Sequence, residues 1–271
     1  MRVLAFFFVK DNILFLTILL IKEDIMSDKF EYNLIDSETK GNIFNNPVIK
    51  NYFNNEGFTE NNALMRYVSE TRKGSIVYDV GTGNKSLMII AGVHGDELAP
   101  QIAVIKFMEE ILNGEWNLRC KLYIVPFLIP KATMQNTRFL DYKDMNRQAT
   151  NSGITKYIID YALSHNVVGL CDCHSTDPNK KPGYNSVFCS IRPLVESSMI
   201  ARYICKNTNS RLLPVYMAGS TIMGSVEDES NLRGIPSVTC ESVSPVCKID
   251  PSGVAESYNQ LISFLNYFKV I

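Results

Sequence analysis

The 271 residues contain three histidines, and two of them follow apolar runs of strand length: His94 after Ile89-Ile90-Ala91, and His174 after Leu170-Cys171-Asp172-Cys173. Ligands in open α/β sheets bind beyond the carboxyl ends of strands, so both imidazoles stand where sites occur. His94-Gly95-Asp96-Glu97 adds a carboxylate three residues on, where the chain is expected to turn from strand into helix. Two imidazoles and one carboxylate make a catalytic zinc set whose fourth position is left for water. His94, Glu97 and His174 are therefore candidate metal ligands. The blander reading makes His94 a loop histidine and Glu97 an acid favoured at a helix N-terminus. A lone His-x-x-Glu does not decide between the two, and the second strand-end histidine brings them to balance. His165 follows a helical stretch and reads as a C-terminal cap.

Two further groups could do chemistry. Arg138 and the run Asp144-Met145-Asn146-Arg147 lie in a polar stretch. Arginine presents a rigid fork that grips carboxylates, so Arg138, Asn146 and Arg147 could bind a substrate carboxylate and a developing oxyanion. An ordinary charged loop is the alternative. Glu241 ends the apolar run Ser237-Val238-Thr239-Cys240 and could serve as general base to a water; a lone strand-end glutamate is more often simply solvated.

These residues need a scaffold. Strands are expected over Ser75–Val80, Ser86–Ala91, Lys121–Ile129, Val167–Cys173, Ser186–Ile191 and Ser237–Cys240, with Pro126 suggesting an edge or a bulge. Helical spacing marks Glu97–Leu112 (stopping near Gly114), Ile154–Ser164, Leu194–Lys206, Thr221–Leu232 and Val254–Phe268. Alternation of this kind implies an α/β fold: a mainly parallel mixed sheet with helices on both faces. Residues 74–271 are expected to form the domain, behind an Asn-rich irregular segment at 26–73 and an apolar leader at 1–25.

Net charge is −1 and no Lys/Arg block is interleaved with aromatics, so nucleic acid is not an expected partner. The cysteines number seven, an odd count that argues against a secreted disulfide framework. Cys171, Cys173, Cys189 and Cys240 sit in apolar or β-branched runs and read as buried reduced thiols, which points to the cytoplasm. Within the leader, Lys10, Asp11 and Asn12 interrupt the apolar stretch over 3–21, against a spanning helix, which needs ~20 mostly apolar residues. Two readings stay open: Met26 is the true start, or residues 3–21 anchor the chain at a membrane.

In order, Ala91-Gly92-Val93-His94-Gly95-Asp96-Glu97, Asn136-Thr137-Arg138, Asp144-Met145-Asn146-Arg147, Asp172-Cys173-His174-Ser175-Thr176 and Thr239-Cys240-Glu241 resemble the succinylglutamate desuccinylase/aspartoacylase family of the zinc carboxypeptidase clan. The resemblance spans about residues 74–268. It implies a zinc carboxypeptidase-like fold and a zinc-dependent hydrolase cleaving the amide bond of an N-acyl amino acid. By resemblance, His94, Glu97 and His174 hold Zn2+, and Asp144 hydrogen-bonds a ligating histidine, expected to be His94, from outside the ligand shell. Arg138 polarises the scissile carbonyl, Asn146 and Arg147 clamp the amino-acid carboxylate, and Glu241 carries the proton. One departure stands out. Aspartoacylases place a β-rich domain after the catalytic glutamate, whereas about thirty residues follow Glu241 here. A more open pocket is expected, and residues from such a domain cannot be carried over. The clan's mobile tyrosine has no motif here; Tyr216 lies in the neighbourhood and is left out of the site. The first alternative is a zinc carboxypeptidase acting on a short or cell-wall peptide. The second is a non-catalytic binding module on the same fold, against which stands the presence of every expected ligand, acid and base. The His/His/Glu set with an open position favours zinc over other divalent metals, although geometry and availability also bear on that choice.

Overall fold

The computed structural model describes residues 29–59, 62–150 and 152–271. The apolar leader, with Met26, lies outside the described residues. Among the described residues, no helix is long and apolar enough to cross a membrane.

Eight strands form one sheet: β1 (Glu31–Asp36), β2 (Ser75–Val80), β3 (Ser86–Ala91), β4 (Lys121–Val125), β5 (Val167–Thr176), β6 (Ser186–Arg192), β7 (Arg211–Met217) and β8 (Ser237–Val243). Their order is β1-β2-β4-β3-β5-β8-β6-β7. Four of the seven pairings are parallel, including those that join β4, β3, β5 and β8 at the centre. The sheet is thus mixed with a parallel middle, as the alternation of elements implies.

The helices are α1 (Pro47–Asn55), α2 (Ala63–Ser69), α3 (Leu98–Asn113), α4 (Pro130–Gln135), α5 (Ile154–Ser164), α6 (Val195–Asn207), α7 (Val226–Leu232) and α8 (Pro251–Tyr267). One face of the sheet packs Leu87, Ile89, Cys171, Cys173, Val187, Val238 and Cys240 against α3, α6 and α8. The opposite face packs Met88, Ile90 and Leu170 against α5 and Val226 of α7. Side chains alternate across a strand, so Asp172 and His174 share the face of Leu170, and Thr239 and Glu241 lie on that same face of β8. The candidate site residues of β5 and β8 therefore share one side of the sheet.

Several expected boundaries shift. The strand foreseen over Lys121–Ile129 ends at Val125, before Pro126, and β4 lies inside the sheet between β2 and β3 rather than at an edge. The helix foreseen over Thr221–Leu232 begins only at Val226, because Gly224 holds φ +76 and Ser225 caps the helix by accepting from Asp228 N–H. The segment expected to be irregular carries β1, α1 and α2, and β1 adds an antiparallel edge to β2. Its pattern is weak because residues on both sides of this edge strand are solvent-exposed. The other edge strand, β7, was not foreseen; Pro214 interrupts its run, as an edge position tolerates. Helix α3 ends where expected, with Gly114 in the left-handed conformation at φ +80.

A metal-shaped centre beside a half-buried glutamate

Strand β3 delivers the chain to a tight loop, and His94 stands in it three residues past the strand's end. Gly95 is required there: a Cβ would lie 2.0 Å from the Ala132 carbonyl carbon of α4. Its N–H donates to Thr137 O at 2.9 Å, fastening the loop to the stretch that carries Arg138. Glu97 occupies the N-cap of α3, yet its side chain makes no capping bond. Its carboxylate turns inward instead, Oε1 lying 2.8 Å from His94 Nδ1 and Oε2 2.8 Å from His174 Nδ1. Oε2 also accepts the Ser175 N–H at 3.0 Å. Gln101, one helical turn on and fully buried, donates to the His94 and Glu97 carbonyls at 3.2 and 2.9 Å.

His174 was expected just past a strand ending at Cys173, and Glu241 at the end of a strand finishing at Cys240. Both lie inside their strands. β5 runs to Thr176 and β8 to Val243, because Ser175 and Thr176 pair in register with Ser242 and Val243; backbone pairing carries a strand through polar residues. His174 and Glu241 are direct partners in that register, which places the glutamate beside the imidazole.

The ligand atoms of His94, Glu97 and His174 lie within 4.8 Å of one another, and all three residues are buried. The two Nδ1 atoms are 3.1 Å apart. Ligands on a tetrahedral ion at bond lengths of ~2.05 Å would stand about 3.3 Å apart, so the three donors already have the spacing that an ion requires. The far ring nitrogens are anchored as well. His94 Nε2 lies 3.0 Å from Asp144 Oδ1, and His174 Nε2 lies 2.9 Å from Asp172 Oδ2. Carboxylates in these places keep a proton on each Nε2 and leave each Nδ1 lone pair pointing into the centre.

Electrostatics agrees with a cation. Burial opposes charge on His174, but Asp172 and Glu97 outweigh it and hold the imidazole well above its ordinary value. His94 is raised likewise, against burial, by Glu97 and Asp144. Glu97 is held well below the usual carboxylate range, the two imidazoles overcoming its own burial. A buried cluster of carboxylates around two imidazoles stabilises positive charge at its middle.

The other expected residues gather round this centre. Asp144 lies against His94. Arg138 donates from Nε and Nη2 to Asp144 Oδ2 at 3.2 and 3.0 Å, and from Nη1 to Glu97 Oε1 at 3.0 Å. Asn146 Oδ1 accepts the Val226 N–H at 2.9 Å, and its Nδ2 lies 3.3 Å from His174 Nε2, the nitrogen that faces Asp172. Arg147 lines the cleft and donates from Nη1 to the Asn146 carbonyl at 2.6 Å. Glu241 Oε2 is buried with no hydrogen-bond partner among the described residues. Burial, with the neighbouring charge of Glu97, raises this carboxyl to about 7. A divalent cation between the imidazoles would pull that value down, toward a carboxylate able to accept a proton.

Apart from Asp144, these groups line a cleft of about 240 Å³ that also takes in Thr176, Lys181, Pro182, Phe188, Ile222 and Thr239. Tyr216 is 71% exposed on β7 and does not line it. His165 does not either; it caps α5, with Nδ1 2.8 Å from Tyr161 O and its ring stacked on Tyr161. Asp172 and Gln101 are site residues that sequence patterns left without a role. The signal for Asp172 was its spacing: two residues from His174 on a strand means the same face.

Residues 83–152 match the family model described as the succinylglutamate desuccinylase/aspartoacylase catalytic domain. The matched stretch holds His94, Glu97, Arg138, Asp144, Asn146 and Arg147; His174 and Glu241 lie beyond it. No curated protein matches the sequence. Among solved structures, the fold is shared with a succinylglutamate desuccinylase/aspartoacylase of Rhodobacter sphaeroides (TM-score 0.56, 18% identity, 73% of this chain and 59% of that one). It is shared with the ectoine utilization protein EutE (DoeB) of Ruegeria pomeroyi (TM-score 0.56, 18% identity, 72% and 61%). The tripeptide-bound cell shape determinant Csd4 of Helicobacter pylori is also similar (TM-score 0.58, 13% identity, 72% and 55%). At these identities the likeness establishes the α/β fold of the desuccinylase and carboxypeptidase type read from the sequence. The chain spans about three fifths of the length of the desuccinylase structures it matches.

Proposed function

We propose that this chain is a zinc-dependent hydrolase that cleaves the amide bond of an N-acyl amino acid. One observation carries the reading: two imidazoles and a carboxylate converge at ligand spacing, each imidazole is backed by its own carboxylate, and a glutamate with one buried, unpartnered oxygen stands beside them. A zinc ion held by His94, Glu97 and His174 would supply a Lewis acid and lower the pKa of water to ~7. Glu241 takes the proton from the attacking water as its oxygen bonds to the acyl carbon. It returns that proton to the amine nitrogen as the C–N bond breaks, leaving a carboxylate and a free amino acid. Arg138 faces the developing oxyanion with the Nη1 that otherwise rests on Glu97, while Asp144 holds the rest of its guanidinium in place. Arg147, which makes no ion pair among the described residues, grips the substrate carboxylate, and Asn146 forms the adjoining wall. Asp144 and Asp172 keep the imidazoles in the tautomer that the metal needs.

Hydrolysis of a short peptide is the second reading, and the likeness to a tripeptide-bound Csd4 favours it. Comparing rates on N-acyl amino acids with those on short peptides separates the two. None of the seven thiols is in a disulfide, which supports a reducing, cytoplasmic setting.

The first test is bound metal in protein purified without added zinc, for wild type and His174→Ala. About one zinc per chain, lost in the variant, is the expected result; no metal even after zinc is supplied sinks the reading. Glu241→Gln should keep the metal and abolish turnover. Full activity in that variant would remove Glu241 as the base.

A further inference from the structure

The cleft does not end at the metal-shaped centre. Lys181, Pro182 and Phe188 line it and also line a second, wider recess that adds Tyr184. The register explains the continuity. Phe188 of β6 pairs with Thr239 and Ser186 with Glu241, so Phe188 rises from the same floor as the catalytic strand. Tyr184 stands two residues before Ser186 in the chain, just outside β6, and lines the recess. Its ring is fixed from outside by Arg211, whose guanidinium sits 4.6 Å from the ring centroid.

The recess is built rather than loose. Asn185 bridges it to both neighbouring strands, its Oδ1 accepting from Val243 N–H at 2.7 Å and its carbonyl from Arg211 N–H at 2.9 Å. The loop before it closes on itself through Lys180 N–H to Asp177 O at 2.9 Å. Its surface is mostly apolar. Lys180 and Lys181 are exposed at the rim, where water and salt screen their charge and leave it little selectivity.

Resting on the hydrolase reading above, we propose that this recess is the acyl subsite and that it selects aromatic acyl groups over acetyl and over short dicarboxylic ones. The amino-acid carboxylate is assigned to Arg147 in the turn tied to α7, which leaves the 181–188 shelf to the other half of the substrate. A planar ring lies between Pro182, Tyr184 and Phe188, and the carbonyl it carries reaches Arg138. A phenyl ring gains burial that a methyl group cannot, about tenfold or more in kcat/KM at ordinary apolar selectivities.

The test compares kcat/KM of the zinc-loaded protein on N-acetyl-, N-succinyl- and N-phenylacetylglutamate and on N-acetylphenylalanine. Phenylacetylglutamate is expected to exceed both the acetyl and the succinyl compound by about tenfold or more. Tyr184→Ala and Phe188→Leu should each lower the phenylacetyl-to-acetyl ratio severalfold, with zinc content and Tm as controls of folding. Preference for succinyl, a ratio near one, a ratio unchanged in both variants, or a preference that follows the aromatic amino-acid side chain instead would each overturn the proposal. If no compound is hydrolysed, the hydrolase reading itself fails. Calorimetry with phenylacetate and acetate still decides the shelf: equal affinities refute it, and an advantage for phenylacetate that Tyr184→Ala removes upholds it.

Discussion

Replacing Asp172 by asparagine tests the claim that it positions His174. Asp172 is fully buried, its Oδ2 lies 2.9 Å from His174 Nε2, and its Oδ1 has no partner among the described residues. Asparagine can place its carbonyl oxygen where Oδ2 stands and its amide where the orphan oxygen stands, so shape is kept and charge is lost. A hydrogen bond to a charged group contributes roughly 1.5–3 kcal/mol and a neutral one roughly 0.5–1.5 kcal/mol. The difference between the midpoints, about 1.25 kcal/mol, corresponds to about an eightfold weaker hold on zinc. Asp172→Ala also frees the ring to rotate or change tautomer and should weaken zinc about 100-fold, the upper end for such outer partners. Competition against a chromogenic chelator, on protein stripped of metal, gives the affinities, and thermal unfolding without metal checks the fold. Without the carboxylate the His174 imidazole is more readily neutral, so the metal-free Tm should move little in the asparagine variant. Zinc affinity within twofold of wild type, in folded protein, would refute a positioning role for Asp172. Equal losses in both variants, together with a collapsed Tm, would assign it to the fold instead.

Glu227 is fully buried under β6, where its Oε1 accepts from Ser190 N–H at 2.8 Å, and burial pushes its carboxyl up from 4.5 to about 7. The folded state therefore holds a proton that the unfolded chain releases, so stability should fall as pH rises from about 4.5 to about 7 and then level off. Glu227→Gln should flatten that slope and, by denaturant unfolding, gain about 2–3 kcal/mol at pH 8; an unchanged slope would contradict the assignment. Gly95→Ala puts a methyl 2.0 Å from the Ala132 carbonyl carbon, so the His94 loop must move. The variant should lose most bound zinc and melt several degrees lower, as measured by metal analysis and calorimetry. In native protein a thiol reagent should reach at most the two part-buried cysteines, Cys205 and Cys247, and all seven only after unfolding. Rapid native modification of all seven would place Cys171, Cys173 and Cys240 outside the core.

Much of the scaffold was legible because local chemistry repeats. Ser75–Val80, Ser86–Ala91 and Ile154–Ser164 form the elements that their periodicity indicates, to the residue. Their side chains are buried on two faces or one, and burial leaves a clear pattern. Patterns failed where burial is partial. β1 and β7 are edge strands with exposed residues on both sides, so neither continuous nor alternating hydrophobicity marks them. Strand ends were misplaced at His174 and Glu241 because pairing of β5 with β8, not apolar content, carries both strands onward.

For the site, the sequence alone determined which groups exist and which lie close along the chain. His94 and Glu97 face one point because a strand-to-helix turn separates them by three residues. Asp172 and His174 share a face because strand side chains alternate. Tertiary structure decided everything that joins distant segments. β8 comes last among the strands yet inserts between β5 and β6, which sets Glu241 beside His174 and opens the floor on which Phe188 lies. Arg138 meets Glu97 across 41 residues, and Asn146 meets Val226 across 80. Local periodicity cannot encode such contacts. They depend on how whole strands pair, and pairing is chosen by the total burial of both sheet faces rather than by any residue in the site.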